Sequence, residues 1–162
     1  MSSSEEFPKP SLAVDTLVLY WNGTELQLPL IQRGGEPFKG AWAFPGGFMQ
    51  IDETLERAAH RELGEETGLR IDKVSRGPIF DAVERDPRGR VISVPHVALV
   101  NGSEVEVRAA SDAAGGQLFR VGDLPDDLAF DHADMWATMR VFAADEVEAG
   151  RLGPELNAED RT

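Results

Sequence analysis

The sequence contains no cysteine among its 162 residues. This excludes disulfide bonds, thiolate zinc sites and a cysteine nucleophile, and it fits a reducing compartment. Long apolar runs are also absent, since no stretch approaches the roughly 18–20 residues that a membrane span needs. The first ten residues, MSSSEEFPKP, lack the apolar region of a secretory signal. These absences predict a soluble, cytoplasmic protein.

Positive charge is scarce. Lys and Arg total 16 against 29 Asp and Glu, which gives a formal net charge of −13. Because such a charge repels nucleic acid and anionic membranes, neither is expected as a partner. It also repels small phosphorylated molecules. A ligand of that kind needs local arginines or a bound cation at its site.

The chain length and a hydrophobic content of 41 % predict a single domain with its own core. We expect this domain to span residues 12–149, between flexible polar tails at 1–11 and 150–162. Apolar and alternating segments predict strands at 12–21, 25–33, 43–47, 71–83, 91–100, 104–109 and 117–121. One helix is predicted from an Asp52 N-cap to Gly68, and another from Asp131 to about residue 148. Strands mixed with two separate helices predict a mixed sheet covered on both faces.

The stretch HRELGEETGL, residues 60–69, places three glutamates within five positions. On a helical wheel of about 100° per residue, Glu62 and Glu66 fall inside the apolar stripe, and Glu65 falls at its edge. The stripe consists of Leu55, Ala58, Ala59 and Leu63. A merely solvated face would put the glutamates opposite that stripe.

Partly buried carboxylates persist where cations neutralise them. Arg61 can neutralise one of them, because it lies four residues before Glu65. The remaining charge predicts a metal site, and ligands that are all oxygen indicate Mg²⁺ or Mn²⁺. A structural ion-pair network is the alternative.

The segment 47–69 reads G-x5-E-x7-R-E-L-x-E-E-x-G-L. Its fixed positions are Gly47, Glu53, Arg61, Glu62, Leu63, Glu65, Glu66, Gly68 and Leu69. This pattern resembles the Nudix box of the Nudix hydrolases. The resemblance implies an α/β (α+β) fold, an α/β/α sandwich with a mixed sheet flanked by helices. It also implies metal-dependent hydrolysis of a nucleoside diphosphate linked to another moiety.

The resemblance further implies roles for individual residues. The metal ligands are then Glu62, Glu65, Glu66 and the carbonyl of Gly46. Catalysis is assigned to Glu62, Glu65, Arg61 and Glu53, with Arg61 orienting Glu65 and Glu53 bracing the joint between loop and helix. A further acidic ligand from a later loop is expected to be Glu104, Glu106 or Asp112.

Three segments outside the box, PFKGAWAFPGGF, FDAVERDPRGRVISV and LAFDHADMW, resemble the ADP-ribose pyrophosphatase-related branch of the family. The implied reaction converts ADP-ribose to AMP and ribose 5-phosphate. The candidate substrate residues are Arg33, Phe38, Trp42, Phe44, Arg85, Arg88, Arg90 and His132. The arginines suit a diphosphate, and the aromatic rings suit an adenine base. A solvated turn at DPRGR and ordinary core packing of the rings are the alternatives.

One marker of that branch, a proline about 15–16 residues beyond the box, is missing. Pro78 and Pro87 lie 9 and 18 residues beyond Leu69. NADH, nucleotide sugars, dinucleoside polyphosphates and oxidised nucleotides therefore stay open as substrates. A non-catalytic module that senses ADP-ribose and a metal-binding acidic scaffold are the alternatives of other classes. A homodimer is expected from the family alone.

Overall fold

The computed structural model describes residues 6–101 and 113–156. In these ranges the strands are β1 (Ser11–Trp21), β2 (Leu26–Arg33), β3 (Trp42–Ala43), β4 (Gly46–Phe48), β5 (Ser75–Arg76), β6 (Val91–Asn101), β7 (Ala113–Arg120) and β8 (Glu155–Leu156). The α-helices are α1 (Leu55–Thr67) and α2 (His132–Glu148), and a short 3₁₀ helix spans Val121–Asp123. Residues 102–112 lie outside these ranges. They include the predicted strand 104–109 and the acidic candidates of the later loop, Glu104, Glu106 and Asp112.

One mixed sheet forms the centre of the molecule, with strand order β3-β2-β1-β6-β5. β1 pairs with β2 antiparallel and with β6 parallel, and it also pairs with β4. β7 adds to β2, and β8 adds to β6. β1 and β2 follow each other directly in the chain and form a hairpin.

The two helices cover opposite faces of this sheet, and the alternation along β1 shows why. Leu17 belongs to a core cluster with Met135 and Met139 of α2. Its neighbour Val18 belongs to another cluster, with Leu63 of α1. Because successive side chains of a strand point to opposite faces, one apolar strand supplies both layers. The predicted α/β/α sandwich is confirmed.

The N-cap predicted for α1 was wrong by two residues. Thr54 is the N-cap, with extended backbone, and its Oγ1 accepts a hydrogen bond from the Arg57 amide at 3.2 Å. Both Asp and Thr are good caps, so only the chain path selects between Asp52 and Thr54. The predicted end is confirmed, since Gly68 adopts φ 76° and its amide donates to the Gly64 carbonyl.

Three strand predictions differ from the structure. The segment 43–47 is not one strand, because the chain forms β3 and then β4 on different partners. The strand predicted at 71–83 is reduced to β5 and a single bridge between Phe80 and Ser93. β7 begins earlier than predicted.

The strand predicted at 91–100 agrees with β6. This strand runs unbroken through Pro95, whose carbonyl accepts a hydrogen bond from the Gly77 amide at 2.8 Å.

The C-terminal segment is packed where a tail was predicted. Leu152 is only 5 % exposed and belongs to the same cluster as Met135 and Met139. Glu155–Leu156 then pair in parallel with β6. The prediction of a flexible tail from residue 150 was therefore wrong for residues 152–156. Among the helices of the described ranges, none has the length and apolar character to cross a membrane.

Candidate active site

Two glycines bring β4 against α1. β4 lies antiparallel to β1, with Gly46 opposite Asp15 and Gly47 opposite Val14. A Cβ atom on Gly47 would lie 2.4 Å from Cδ of Glu62, so any side chain there would displace this carboxylate. The Gly46 amide donates to Oε2 of Glu66 at 3.3 Å. The absence of a side chain at Gly47 thus allows the Glu62 carboxylate to lie directly on β4, and the backbone amide of Gly46 contacts the Glu66 carboxylate.

The predicted burial of these two carboxylates is present. The Glu62 side chain is 14 % exposed. Burial raises the pKa of the Glu62 carboxyl, against the opposing hydrogen bond from Arg61. Burial, reinforced by the charges of Glu62 and Asp15, raises the pKa of Glu66 to about 8, although the Gly46 amide opposes the shift. Acidic groups are therefore concentrated in one part of the site, where burial and their mutual repulsion favour the protonated forms.

Arg61 connects the acidic residues of the box. Its Nε and NH2 groups donate to both oxygens of Glu53, at 2.9 and 2.6 Å. Its NH1 group donates to Glu62 at 2.7 Å and to Glu65 at 3.2 Å. NH2 also donates to the carbonyl of Phe48 at 3.0 Å. One side chain therefore links α1 to β4 and to the loop that carries Glu53.

Glu65 lies apart from the other two glutamates. Its side chain is 59 % exposed and lines an open depression on the outer side of α1. Throughout residues 6–101 and 113–156, no three His, Asp or Glu side chains are close enough together to hold a metal ion. The oxygen-only donors Glu62 and Glu66 fit a hard divalent cation. Glu65 has to turn away from Arg61 to join them.

Glu62 and Glu66 line a cavity of about 270 Å³, which Asp15, Asp86 and several arginines also line. Arg33, Arg85 and Arg88 all line it. Their local positive charge meets the requirement that an overall charge of −13 sets for binding an anion.

The four candidate arginines have different surroundings. Arg85 donates through Nε and NH2 to Asp131 at 2.9 and 2.7 Å, and its side chain is 4 % exposed. Arg88 pairs with Asp86 yet is 41 % exposed. Arg33 donates through Nε to the Pro37 carbonyl at 2.8 Å. Arg90 donates to the carbonyls of residues 81 and 82 and is not brought to the cavity.

The aromatic candidates separate in the same way. Phe44 is buried, lines the cavity and stacks on His132, with ring centroids 5.1 Å apart. Phe38 is exposed and contacts the ring of Phe130. Trp42 instead packs edge-on against Phe119 and belongs to the core on the α2 side. The structure therefore does not bring Trp42 to the cavity.

His132, Asp15 and Ser93 form a buried polar network beside the carboxylates. His132 Nδ1 accepts a hydrogen bond from the Phe44 amide at 3.2 Å, and Nε2 lies 3.4 Å from Asp15. The Ser93 hydroxyl donates to the other oxygen of Asp15. Burial lowers the pKa of His132, which favours a neutral ring with its proton on Nε2.

Asp15, Asp86 and Phe130 are among the cavity residues that the sequence reasoning missed. Asp15 carried one signal, as a lone carboxylate in the apolar stretch LAVDTLVLYW. Phe130 carried none. It lines the cavity with a φ of 53°, which a sequence pattern does not reveal for a residue other than glycine.

The fold and the cavity define a class of protein, an α/β/α sandwich in which helix-borne carboxylates and arginines line one cavity. The family model for the NUDIX domain matches residues 10–139, and the chain belongs to this family. Most of the described structure, including the box and the start of α2, lies in the matched region.

Two related proteins are similar in sequence to most of the chain. It is 44 % identical over 124 residues to an ADP-ribose pyrophosphatase of Methanocaldococcus jannaschii, covering 76 % of this chain and 69 % of that protein. It is 33 % identical over 132 residues to the ADPR responsive transcriptional repressor NtrR of Acinetobacter baylyi. That match covers 80 % of this chain but only 53 % of the repressor, so the chain spans about half of its length.

A solved structure agrees with the fold. The NUDIX domain of Shewanella oneidensis NrtR, crystallised with ADP ribose, superposes with a TM-score of 0.76 at 27 % identity. The superposition covers 87 % of this chain and 93 % of that domain. The similarity therefore extends over both helices and the sheet.

Proposed function

We propose that this Nudix pyrophosphohydrolase cleaves ADP-ribose to AMP and ribose 5-phosphate. The observation that carries the proposal is the cavity that Glu62 and Glu66 line together with Arg33 and Arg88. Cleavage of a diphosphate that links two sugars needs both sets of groups. The arginines neutralise the charge of the diphosphate, and the carboxylates activate the attacking water. Similarity to an ADP-ribose pyrophosphatase at 44 % identity supports the choice of substrate.

The residues that would hold a divalent cation, Mg²⁺ or Mn²⁺, are Glu62, Glu66 and Gly46, with Glu65 after it turns. When bound, such a cation offsets the charge of the diphosphate and lowers the pKa of adjacent water. Gly46 lines the cavity beside both glutamates.

In this proposal, the remaining groups bind, orient and move a proton. Arg33 and Arg88 bind the diphosphate, since guanidinium groups match phosphate oxygens in pairs. Glu62 or Glu65 takes the proton from the attacking water. Arg61 and Glu53 hold the carboxylates in place through their shared hydrogen bonds. The exposed ring of Phe38 supplies a surface for the adenine, whereas the ring of Phe44 is buried against His132.

The decisive test is turnover. With Mg²⁺ or Mn²⁺, the protein should release AMP from ADP-ribose faster than from NADH, nucleotide sugars, dinucleoside polyphosphates or oxidised nucleotides. Glu66→Gln should lower kcat by ~100-fold or more. Glu148→Gln, an exposed glutamate at the end of α2, is the matched control. Wild-type rates in Glu66→Gln would contradict the assigned site.

Metal binding is measured separately. Titration of Mn²⁺ followed by electron paramagnetic resonance should show a site that is weakened by Glu62→Gln and by Glu66→Gln. The Glu148→Gln variant should bind as the wild type does. Equal binding by all four proteins would place the cation elsewhere.

A sensing module is the second candidate, supported by the similarity to a repressor that responds to ADPR. Tight binding of ADP-ribose without turnover would favour it. The net charge of −13 supports the expectation of no nucleic-acid and no membrane partner for this chain. The cytoplasmic location and the homodimer also belong to the proposal, and sedimentation velocity tests the dimer.

A further inference from the structure

Phe130 contacts two of the three arginines that line the cavity, Arg33 and Arg88, and Arg88 also lies over the ring of Phe48 at 4.9 Å. The Cζ atom of Arg33 lies 4.9 Å from the centroid of the Phe130 ring, and Cζ of Arg88 lies 5.3 Å from it. Both distances are within the range of about 6 Å in which a guanidinium is attracted to the face of an aromatic ring. One ring therefore attracts two cations.

The two guanidinium groups repel each other. Burial lowers the pKa of Arg33 first, and the positive charge of Arg88 lowers it further. Within residues 6–101 and 113–156, Arg33 forms no salt bridge, whereas Arg88 shares its charge with Asp86. Two like charges held side by side in one cavity need nearby negative charge to stabilise them. The negative face of the Phe130 ring supplies part of that charge.

The backbone holds Phe130 in an unusual conformation. Its φ of 53° lies in the left-handed region, which residues other than glycine rarely occupy. The residues on either side are fixed: the Ala129 amide donates to the Trp42 carbonyl at 2.8 Å, and Asp131 is paired with Arg85. Strain of this kind persists where the surroundings over-determine it, and it is concentrated at functional sites.

We propose that Phe130 is a positioning residue that holds Arg33 and Arg88 together as a paired binding site for the diphosphate of the substrate. This inference rests on the proposed function. Arg85 has a different task, because its bidentate pair with Asp131 fixes the start of α2 and its side chain is only 4 % exposed. The side chain of Arg88, which forms a similar pair with Asp86, is 41 % exposed. Ordinary packing of Phe130 against Ile31, Ala43 and Ala129 is the competing explanation.

The test compares variants that keep the packing but change the ring. Phe130→Leu keeps an apolar side chain and loses the ring face, whereas Phe130→Tyr keeps that face. We expect Phe130→Leu to raise the Kd for magnesium pyrophosphate, measured by calorimetry, and the KM for ADP-ribose by about tenfold. We expect kcat to change by less than about twofold, because the substitution leaves Glu62 and Glu66 in place. Phe130→Tyr should restore wild-type values.

Phe142→Leu, a partly buried residue of α2 that packs in the core, is the matched control and should leave both constants unchanged. If Phe130→Leu does not fold, pentafluorophenylalanine at position 130 keeps the shape of the ring but reverses the charge of its face. It should weaken pyrophosphate binding to the same extent. Unchanged binding in either variant, or equal weakening by Phe130→Leu and Phe130→Tyr, would overturn the proposal.

A cycle of mutations shows whether Phe130 acts through the arginines. Arg88→Gln should weaken pyrophosphate binding less in the Phe130→Leu protein than in the wild type. Equal effects in both would contradict a positioning role. Pyrophosphate binding also separates this inference from the substrate assignment: if ADP-ribose is not cleaved but Phe130→Leu still weakens pyrophosphate binding, only the substrate assignment fails.

Discussion

Arg61 is the residue on which the acidic groups of the site converge. Its guanidinium group donates to Glu53, Glu62, Glu65 and the Phe48 carbonyl. An arginine with so many anionic acceptors is fixed in one rotamer, and a lysine would lack the planar fork needed for the same contacts. The Arg61 side chain therefore connects β4 to the carboxylates.

The pairing with Arg61 makes the stability of the protein depend on pH through Glu53. The hydrogen bonds from Arg61, and then that from the Gln50 amide, lower the pKa of Glu53 from 4.5 to about 2. A lowered pKa in the folded state means that the stabilisation is complete above about pH 4.5 and is lost as the pH falls towards 2. We expect the stability difference between the wild type and Glu53→Gln, measured by urea unfolding, to shrink between pH 5 and pH 2.5.

The exposed Glu84 supplies the control for this measurement. Glu84→Gln should follow the wild-type curve at every pH. A difference between the wild type and Glu53→Gln that stays constant from pH 5 to pH 2.5 would show that the Arg61 pair does not control the titration of Glu53.

At the scale of single residues, the sequence predicts those site residues whose environment is set by neighbours close by in the chain. The burial of Glu62 and Glu66 follows from their positions on one helix, so a wheel predicts it. Asp15 reaches the site from β1, and Phe130 reaches it from the loop before α2. Neither could be identified as a cavity residue from spacing, because their proximity depends on contacts between distant parts of the chain.

At the scale of elements, the contact of β4 with α1 depends on the absence of a side chain at Gly47. A Cβ there would lie 2.4 Å from Cδ of Glu62, well inside van der Waals contact. We expect Gly47→Ala to displace the Glu62 carboxylate and to lower kcat/KM by ~100-fold, since misplacing a catalytic group by about 1 Å has an effect of that size. Steady-state kinetics with the preferred substrate measures it.

Gly64, in the middle of α1, is the matched control for that substitution. The nearest atom to a Cβ there is the Leu69 carbonyl oxygen at 3.9 Å, which is ordinary contact. Gly64→Ala should therefore keep activity and stabilise the helix by about 0.5–1 kcal/mol. If both variants retained full activity, close packing at Gly47 would have no role in holding Glu62.

Elements were predicted well where the sequence pattern is long and poorly where it is short. β1, β2, β6 and both helices have eight or more residues with a clear apolar or periodic pattern. β7 is equally long, but its first four residues, AAGG, carry no strand pattern. β3, β4 and β5 have two or three residues each, and their existence depends on pairing with strands far along the chain. Local propensity contains no information on such pairing.

At the scale of the whole molecule, the end of the described chain closes the core on the α2 side. Leu152 is 5 % exposed and packs with Met135 and Met139. Leu152→Ala should lower the free energy of unfolding by about 2–4 kcal/mol, because a buried cavity replaces the side chain. Chemical denaturation measures this loss.

Val147 provides the comparison, since its side chain lies nearby on α2 but is 45 % exposed. Val147→Ala should change the free energy of unfolding by no more than about 0.5 kcal/mol. A Leu152→Ala protein as stable as Val147→Ala would mean that residues 150–156 are not part of the core in solution.

The parallel pairing of β1 with β6 has a consequence for how the protein folds. The register is constant, from Ser11 opposite Val91 to Trp21 opposite Asn101, so every pair joins residues that are far apart in the chain. The loop that must close contains β4, the box and α1. Contacts of such long range close slowly, because the entropy of the intervening chain is lost before they form. The glutamates therefore reach their final positions on the sheet only after this long-range closure, and the complete cavity also needs Phe130 and His132, which are synthesised after β6.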